Sequence, residues 1–252
     1  RSSAASDVYK RQSMVSSLKF NVKIMGLFLS ALFTLDTSSS SLSEYEIDYK
    51  AHYNGLDVKA TYTLKHEGDN KFVEYSSVKN ILGEITEISE FKLINEDQIR
   101  SEKFKSNRTL IGNKRRESSS FDWEKKLAIY TKDNTTKSFG IEKKIHDPVS
   151  AKVQLRLDIK SNKNSYVYDV LTKGKIKRYK YEVLGNDLIE TASGNLDTVK
   201  VKRIHEDNKK RQTVFWLARD WDFVLVKLNH RDKKETYSIE ILRGFVSGNE
   251  IN

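Results

Sequence analysis

Apolar and polar residues alternate along most of this chain from Tyr45 onward. Tyr45, Ile47, Tyr49, Ala51 and Tyr53 are spaced by charged or polar residues, and Leu56, Val58, Ala60, Tyr62 and Leu64 repeat the pattern. A period of two sends successive side chains to opposite faces of an extended chain, so each run predicts a strand with one buried and one solvated face. Asn54-Gly55 stands between the runs. Both residues tolerate the positive φ of a two-residue turn, which predicts a hairpin over 45–64. Further strands are predicted at 72–78, 85–93, 99–104, 118–123 and 127–130, most of them joined by short turns.

The pattern changes at Asp147-Pro148. Asp is suited to cap a helix and Pro to occupy its first turn, and Val149, Val153 and Leu157 then share one helical face. Val153, Leu155, Leu157 and Ile159 also alternate as a strand would; the capping pair favours helix. Strands resume at 166–171, 175–184, 198–205, 211–218, 223–228 and 236–242. The chain has a single Pro and no low-complexity linker, which argues for one domain over 41–252. The expected fold is mainly β: a single antiparallel meander curled into a barrel or half-open barrel, with one short helix.

The N-terminal forty residues read differently. Residues 1–13 include Asp7-Val8-Tyr9-Lys10-Arg11-Gln12, which reads as a translated sequencing adapter and is set aside. Residues 14–40 have the layout of a signal peptide: Met14, basic Lys19 and Lys23, the apolar run Ile24–Leu35, and small Ser38 and Ser40 near the expected cleavage point. That run is too short to cross a bilayer as a helix, which needs about 20 residues. The expectation is cleavage, a periplasmic location, no transmembrane span in the mature protein, and a monomer. The chain has no Cys, so disulfides, thiolate chemistry and an acylated lipoprotein anchor are all excluded. Of the formal charge of +10, residues 1–13 carry +2 and residues 14–40 carry +1, leaving +7 on the remainder. A basic surface favours anionic headgroups, and no basic cluster approaches a nucleic-acid footprint.

Chemistry is sparse. There is no phosphate-binding Gly-rich loop, and His52, His66, His146, His205 and His230 are dispersed, so no cofactor or metal site is expected. Ser76 with Lys79 and Ser89 with Lys92 match S-x-x-K, but in strands that spacing sends the two side chains to opposite faces. Asp220 and Asp222 flank Trp221 and would share a strand face, as paired carboxylates can; a turn between two apolar runs is the competing reading. No catalytic residue is assigned, and the chain reads as non-enzymatic.

Asp147-Pro148-Val149-Ser150-Ala151 with Gln154-Leu155-Arg156, then Tyr179-Lys180-Tyr181-Glu182-Val183, then Thr191 to Val201, and finally Val214-Phe215-Trp216-Leu217-Ala218 occur in an order that resembles the domain of unknown function 3108 family. The hairpin at 45–64 resembles that family's opening. Leu225 stands where the family usually has Pro. The resemblance implies a barrel-like exported envelope protein with no assigned reaction, akin to half-barrel carriers that shield acyl chains.

Together these readings point to an envelope protein that binds an amphipathic ligand, such as a lipid or glycolipid, on the concave face of a curled sheet. Arg203 and Arg211 are the candidate polar rim and Trp216 the candidate aromatic wall. The alternatives are a module that docks an envelope protein, and a hydrolase of envelope polymers using Asp220 and Asp222.

Overall fold

The computed structural model describes residues 42–252 apart from 143, 207–209 and 234. The adapter-like and signal-peptide-like segments lie outside the described residues. The strands in chain order are β1 (Tyr45–Tyr53), β2 (Leu56–His66), β3 (Lys71–Asn80), β4 (Gly83–Ile94), β5 (Gln98–Leu110), β6 (Asn113–Asp122), β7 (Leu127–Lys132), β8 (Thr135–Gly140) and β9 (Ile145–His146). After the helix α1 (Ser150–Asp158) come β10 (Ser165–Thr172), β11 (Lys175–Thr191), β12 (Gly194–Ile204), β13 (Gln212–Ala218), β14 (Val224–Arg231), β15 (Thr236–Val246) and β16 (Asn249–Glu250).

Among the described residues all sixteen strands belong to one sheet, in the order β8 through β1 and then β15 through β9, with β16 on β15. β1 therefore sits at the centre of the sheet, paired with β2 on one side and β15 on the other. The predicted meander is present as two arms that meet at this seam. One detail differs from it: β9 pairs with β10 in parallel. The outer strands β8 and β9 are not bonded to each other, so hydrogen bonds do not close the sheet into a barrel. Side chains draw the arms together instead. Phe121 of β6 and Ala128 and Tyr130 of β7 share a small core with Ile141, Ile145 and Leu171 of β10.

The predicted hairpin is as expected, with Asn54 and Gly55 at φ 48° and 84°. Gly83 has a different reason to be glycine: a Cβ there would lie 1.9 Å from the carbonyl oxygen of Thr109. β8 was missed because Thr135, Thr136, Lys137 and Ser138 carry no apolar alternation. Beside Leu225 the chain bulges at Val226, because Leu217 faces Leu225 while Trp216 faces Lys227. The Leu225 carbonyl accepts the Tyr49 hydroxyl at 2.7 Å.

Helix α1 lies inside the curl, and the capping argument that predicted it is borne out in its chemistry. The fully buried Asp147 carboxylate accepts the backbone N–H groups of Val149 (2.8 Å) and Ser150 (3.0 Å) through Oδ1 and the Ser89 hydroxyl of β4 (2.8 Å) through Oδ2. The hydroxyls of Ser150 and Ser101 of β5 are 2.6 Å apart. Burial raises the Asp147 pKa, opposed by the hydrogen bonds from Ser150, Ser89 and Val149. Other tethers follow along the helix. Gln154 accepts Ile99 N–H (2.6 Å) and donates to the Asp97 carbonyl (2.7 Å), and Tyr168 of β10 donates to Asp158 (2.7 Å). Arg156 binds the carboxylate and carbonyl of Asp222 in the β13–β14 turn, at 3.1 and 3.2 Å. The helix thus bridges β4 and β5 of one arm to β10 and the β13–β14 turn of the other. Among the described residues, the strands, the helix and the main core form one packed unit with its own interior.

Replacing Asp147 by Ala removes a cap and leaves buried donors without an acceptor. We expect a loss of about 2–4 kcal/mol in urea unfolding for Asp147→Ala. Asp147→Asn keeps an oxygen acceptor at the cap and is expected to cost less than half as much.

Candidate functional site

The concave face is built from the inward positions of the strands, and α1 fills only part of it. At the other part is a cavity of about 490 Å³. That volume falls within the range of small-molecule sites, about 300–1,000 Å³. Ala51, Val58, Val78, Ile85, Phe215, Leu228 and Ile239 give it aliphatic and aromatic walls. Tyr62, Tyr179, Tyr181 and Tyr237 add phenol rings. Pro148, just before α1, and Lys152 in its first turn also line it. The lining extends outward to Asn80, Gly83, Leu110, Thr172, Lys173 and Glu235, all at strand ends or turns. The mouth of the cavity therefore lies at that end of the sheet.

Charge in the lining is one-sided. Arg108, Lys152, Lys173, Lys177, Arg203 and Arg211 are cationic, against the carboxylates of Glu87 and Glu235. Arg203 packs its guanidinium 3.3 Å from the centre of the Tyr179 ring. Among the described residues, Arg203 Nε and Arg108 Nε are buried donors without a protein acceptor. Arg211 is less available, since Asp232 takes both its Nε and Nη2 at 2.9 Å.

The inner end of the cavity is a polar belt. Burial works against the charge of Lys152, but Tyr62, Glu74 and Glu87 outweigh it and raise its pKa above that of an ordinary lysine. Lys152 Nζ lies 5.6 Å from the centre of the Tyr62 ring. Glu74 is only 3% exposed. Burial raises the pKa of both Glu74 and Glu87, and in both cases Lys152 opposes the rise. Tyr181 and Tyr237 are pushed up to about 12, chiefly by burial, so their phenols stay neutral near pH 7 and can donate hydrogen bonds.

At the rim, the Thr213 hydroxyl lies 2.9 Å from His205 Nε2 and 2.7 Å from His230 Nδ1, and His230 stacks on Tyr237 at 4.4 Å. Burial lowers the His230 pKa, with Glu235 opposing, so this imidazole is neutral near pH 7.

The structure brings Arg203 and Arg211 to the cavity but not Trp216. Thr213 and Phe215 line the cavity, while Trp216 is on the other face of β13, where its indole donates to Asp187 (2.9 Å) beneath Lys200 and Lys227. Strand alternation alone separates the two sets. Asp220 and Asp222 occupy the β13–β14 turn, the competing reading. Asp222 has φ 51° and binds Arg156 (3.1 Å), Lys160 (2.5 Å) and Ser43 N–H (2.9 Å), while Asp220 is exposed. The two do not converge on the cavity. Lys152, Glu74, Glu87 and the tyrosines were not chosen from sequence as site residues. Lys152 lies within the Asp147–Arg156 segment, and Tyr179 and Tyr181 hold alternate positions on β11, which is the signal that would have found them.

A second hollow, of about 440 Å³, lies by Asp97, Gln98, Tyr168 and Arg178. Its polar groups are largely occupied: Gln154 binds the Asp97 carbonyl, Asp158 accepts Tyr168, and Arg178 faces Asp169 at 3.5 Å. No helix among the described residues is long and apolar enough to cross a membrane.

The polar belt has a pH signature. Glu74 and Glu87 already bind protons more tightly folded than unfolded, and removing the ammonium beside them strengthens that preference. Lys152→Met should therefore lose stability as pH rises through their raised pKa values. We expect it to cost about 2 kcal/mol more at pH 8 than at pH 5 in urea unfolding, with Lys152→Met/Glu74→Gln recovering part of the loss at pH 8.

Comparison with known proteins bears on fold and family. The crystal structure of a beta-barrel-like protein of domain of unknown function DUF1849 from Brucella abortus is similar, with a TM-score of 0.56 over 81% of this chain and 98% of that chain at 8% identity. A chain described as a candidate lipoprotein of Parabacteroides distasonis aligns over 81% of this chain and 96% of that chain at 12% identity, with a TM-score of only 0.31. None of the curated proteins matches. Residues 48–241 match the family described as protein of unknown function (DUF3108), which includes the helix, the central seam and the cavity. The chain belongs to that family.

Proposed function

We propose that this protein is exported to the periplasm through residues 14–40 and there holds an anionic amphiphile, without chemical turnover, in the concave face of its sheet. The supporting observation is the cavity of about 490 Å³, apolar along its walls and cationic at its rim. Aliphatic and aromatic walls favour an acyl or polyprenyl chain through the ordinary gain of removing apolar surface from water. Arg203 and Arg108 can supply charge-assisted hydrogen bonds to a phosphate or carboxylate head, and Tyr237 a neutral donor beside them. Holding a ligand requires no nucleophile or acid/base pair.

A second reading rests on one specific feature. β8 is an outer strand with one side unpaired, and Thr135, Thr136, Lys137 and Ser138 are exposed along it. A partner's strand could add there, as in other sheet-edge complexes.

Native mass spectrometry of protein recovered from a bacterial periplasm separates the two. The first reading expects a copurifying lipid released at low collision energy, and loss of that lipid from Val78→Trp, which fills the cavity while thermal unfolding checks that the fold survives. Arg203→Glu should weaken binding of a fluorescent fatty acid on the order of 10-fold or more. Lipid-free protein whose fatty-acid affinity ignores Val78→Trp would refute it. A stoichiometric protein partner lost on a Pro substitution in β8 would select the second.

A further inference from the structure

The two ends of the sheet differ in character. At the cavity end lie the turns β1–β2, β3–β4, β5–β6, β10–β11 and β14–β15; at the other end lie β2–β3, β4–β5, β6–β7, β11–β12 and β13–β14. The far turns carry Glu67, Asp69, Glu96, Asp97, Glu124, Asp220 and Asp222 against Lys125, Lys126 and Arg219, an acidic excess. Around the cavity end stand Lys79, Arg108, Lys114, Arg116, Lys173 and Lys175. Several acidic groups there are engaged: Asp57 faces His52 (2.7 Å), Glu84 accepts Ser77 (3.1 Å), and Asp133 accepts Arg116 N–H (3.1 Å), while Glu206, just past β12, is exposed.

The cavity end also exposes large apolar side chains. Ile81 in the β3–β4 turn is 97% exposed and Ile111 in the β5–β6 turn is 77% exposed. They form one feature, because Ile111 N–H donates to the Leu82 carbonyl at 2.9 Å and Leu82 is itself 39% exposed. Ile111 is also backbone-strained. It holds φ +43°, a conformation that suits Asn, Asp or Gly and that a β-branched residue rarely adopts. An isoleucine that is neither buried nor conformationally favoured gains nothing for the fold, and such outliers concentrate where a surface does work.

We propose that this end of the protein docks on an anionic phospholipid bilayer, with Ile81, Leu82 and Ile111 entering the interfacial region and the surrounding Lys and Arg meeting the headgroups. Apolar tips ringed by cations are the chemistry of interfacial binding, while the acidic far end is repelled by the same surface. The mouth of the cavity would then face the bilayer. The inference goes beyond the ligand-holding role, since it rests on the turns and their charge and does not require that the cavity be filled.

The chain has no Cys, so Asn113→Cys places one environment-sensitive fluorophore beside the tip with both isoleucines intact. Leu188→Cys, on the part of β11 far from the mouth and 69% exposed, is the control. With vesicles of phosphatidylglycerol mixed equally with phosphatidylcholine, the full chain should show a blue shift and a rise in emission from the tip label and not from the control label. Ile81→Ser with Ile111→Ser should weaken vesicle binding on the order of 10-fold or more, and Lys114→Glu with Arg116→Glu on the order of 30-fold. An unchanged signal from the tip label, an equal change at both sites, or an equal response to phosphatidylcholine alone would overturn the proposal. The ligand role is read separately, because fatty-acid affinity should be unaffected by the isoleucine substitutions.

Discussion

A carboxylate held away from water, Asp147, decides where the helix lies, and the helix decides what the curled sheet contains. Taking a carboxylate out of water costs several kcal/mol unless its lone pairs are satisfied. Here two backbone N–H groups at the start of α1 and the hydroxyl of Ser89 satisfy them. These partners come from both helix and sheet, so the carboxylate fixes one against the other. With its first turn pinned on β4 and β5 and Arg156 held by Asp222, α1 occupies one part of the concavity. The remaining part is left as the cavity, with Pro148 and Lys152 at its inner end.

This arrangement explains why polar groups occupy an interior that an apolar core could have filled. Glu74, Glu87 and Lys152 form a charged belt between helix and cavity, and burial shifts each pKa against its charged form before its neighbours act. Such a belt is a poor source of stability. It offsets the charges of the inner end against one another, so that the excess positive charge of the lining lies with Arg108, Arg203 and the mouth lysines. The same asymmetry extends over the sheet, with basic side chains gathered around the mouth end and an acidic excess in the turns of the other end.

Much of the sheet was legible because alternation is a local signal. The hairpin at Asn54-Gly55 and strands such as β1, β3 and β10 follow directly from period two and turn chemistry. β8 was illegible because a polar edge strand has no buried face to mark it. The parallel β9–β10 pair and the central position of β1 were not legible either, since they depend on contacts far apart in sequence. The helix lay between two periodicities, and the Asp-Pro cap resolved it correctly. Of the site, Arg203 and Arg211 could be chosen as basic strand residues. Trp216 shows the limit of that method, because choosing by residue type overlooks which face of β13 a side chain takes. Lys152 and Glu74 were hidden because a charged residue in an alternating pattern reads as solvated until its environment is known.

The central claim is that the concave cavity is the binding surface. Amide and methyl chemical-shift mapping during titration with dodecyl phosphate tests it most directly, because it locates the ligand residue by residue. The account predicts saturable shifts concentrated on Val58, Val78, Arg203, Phe215 and Tyr237, with Trp216 and β8 unmoved. Shifts confined to β8 or to the Trp216 face, or none at saturating ligand, would contradict it.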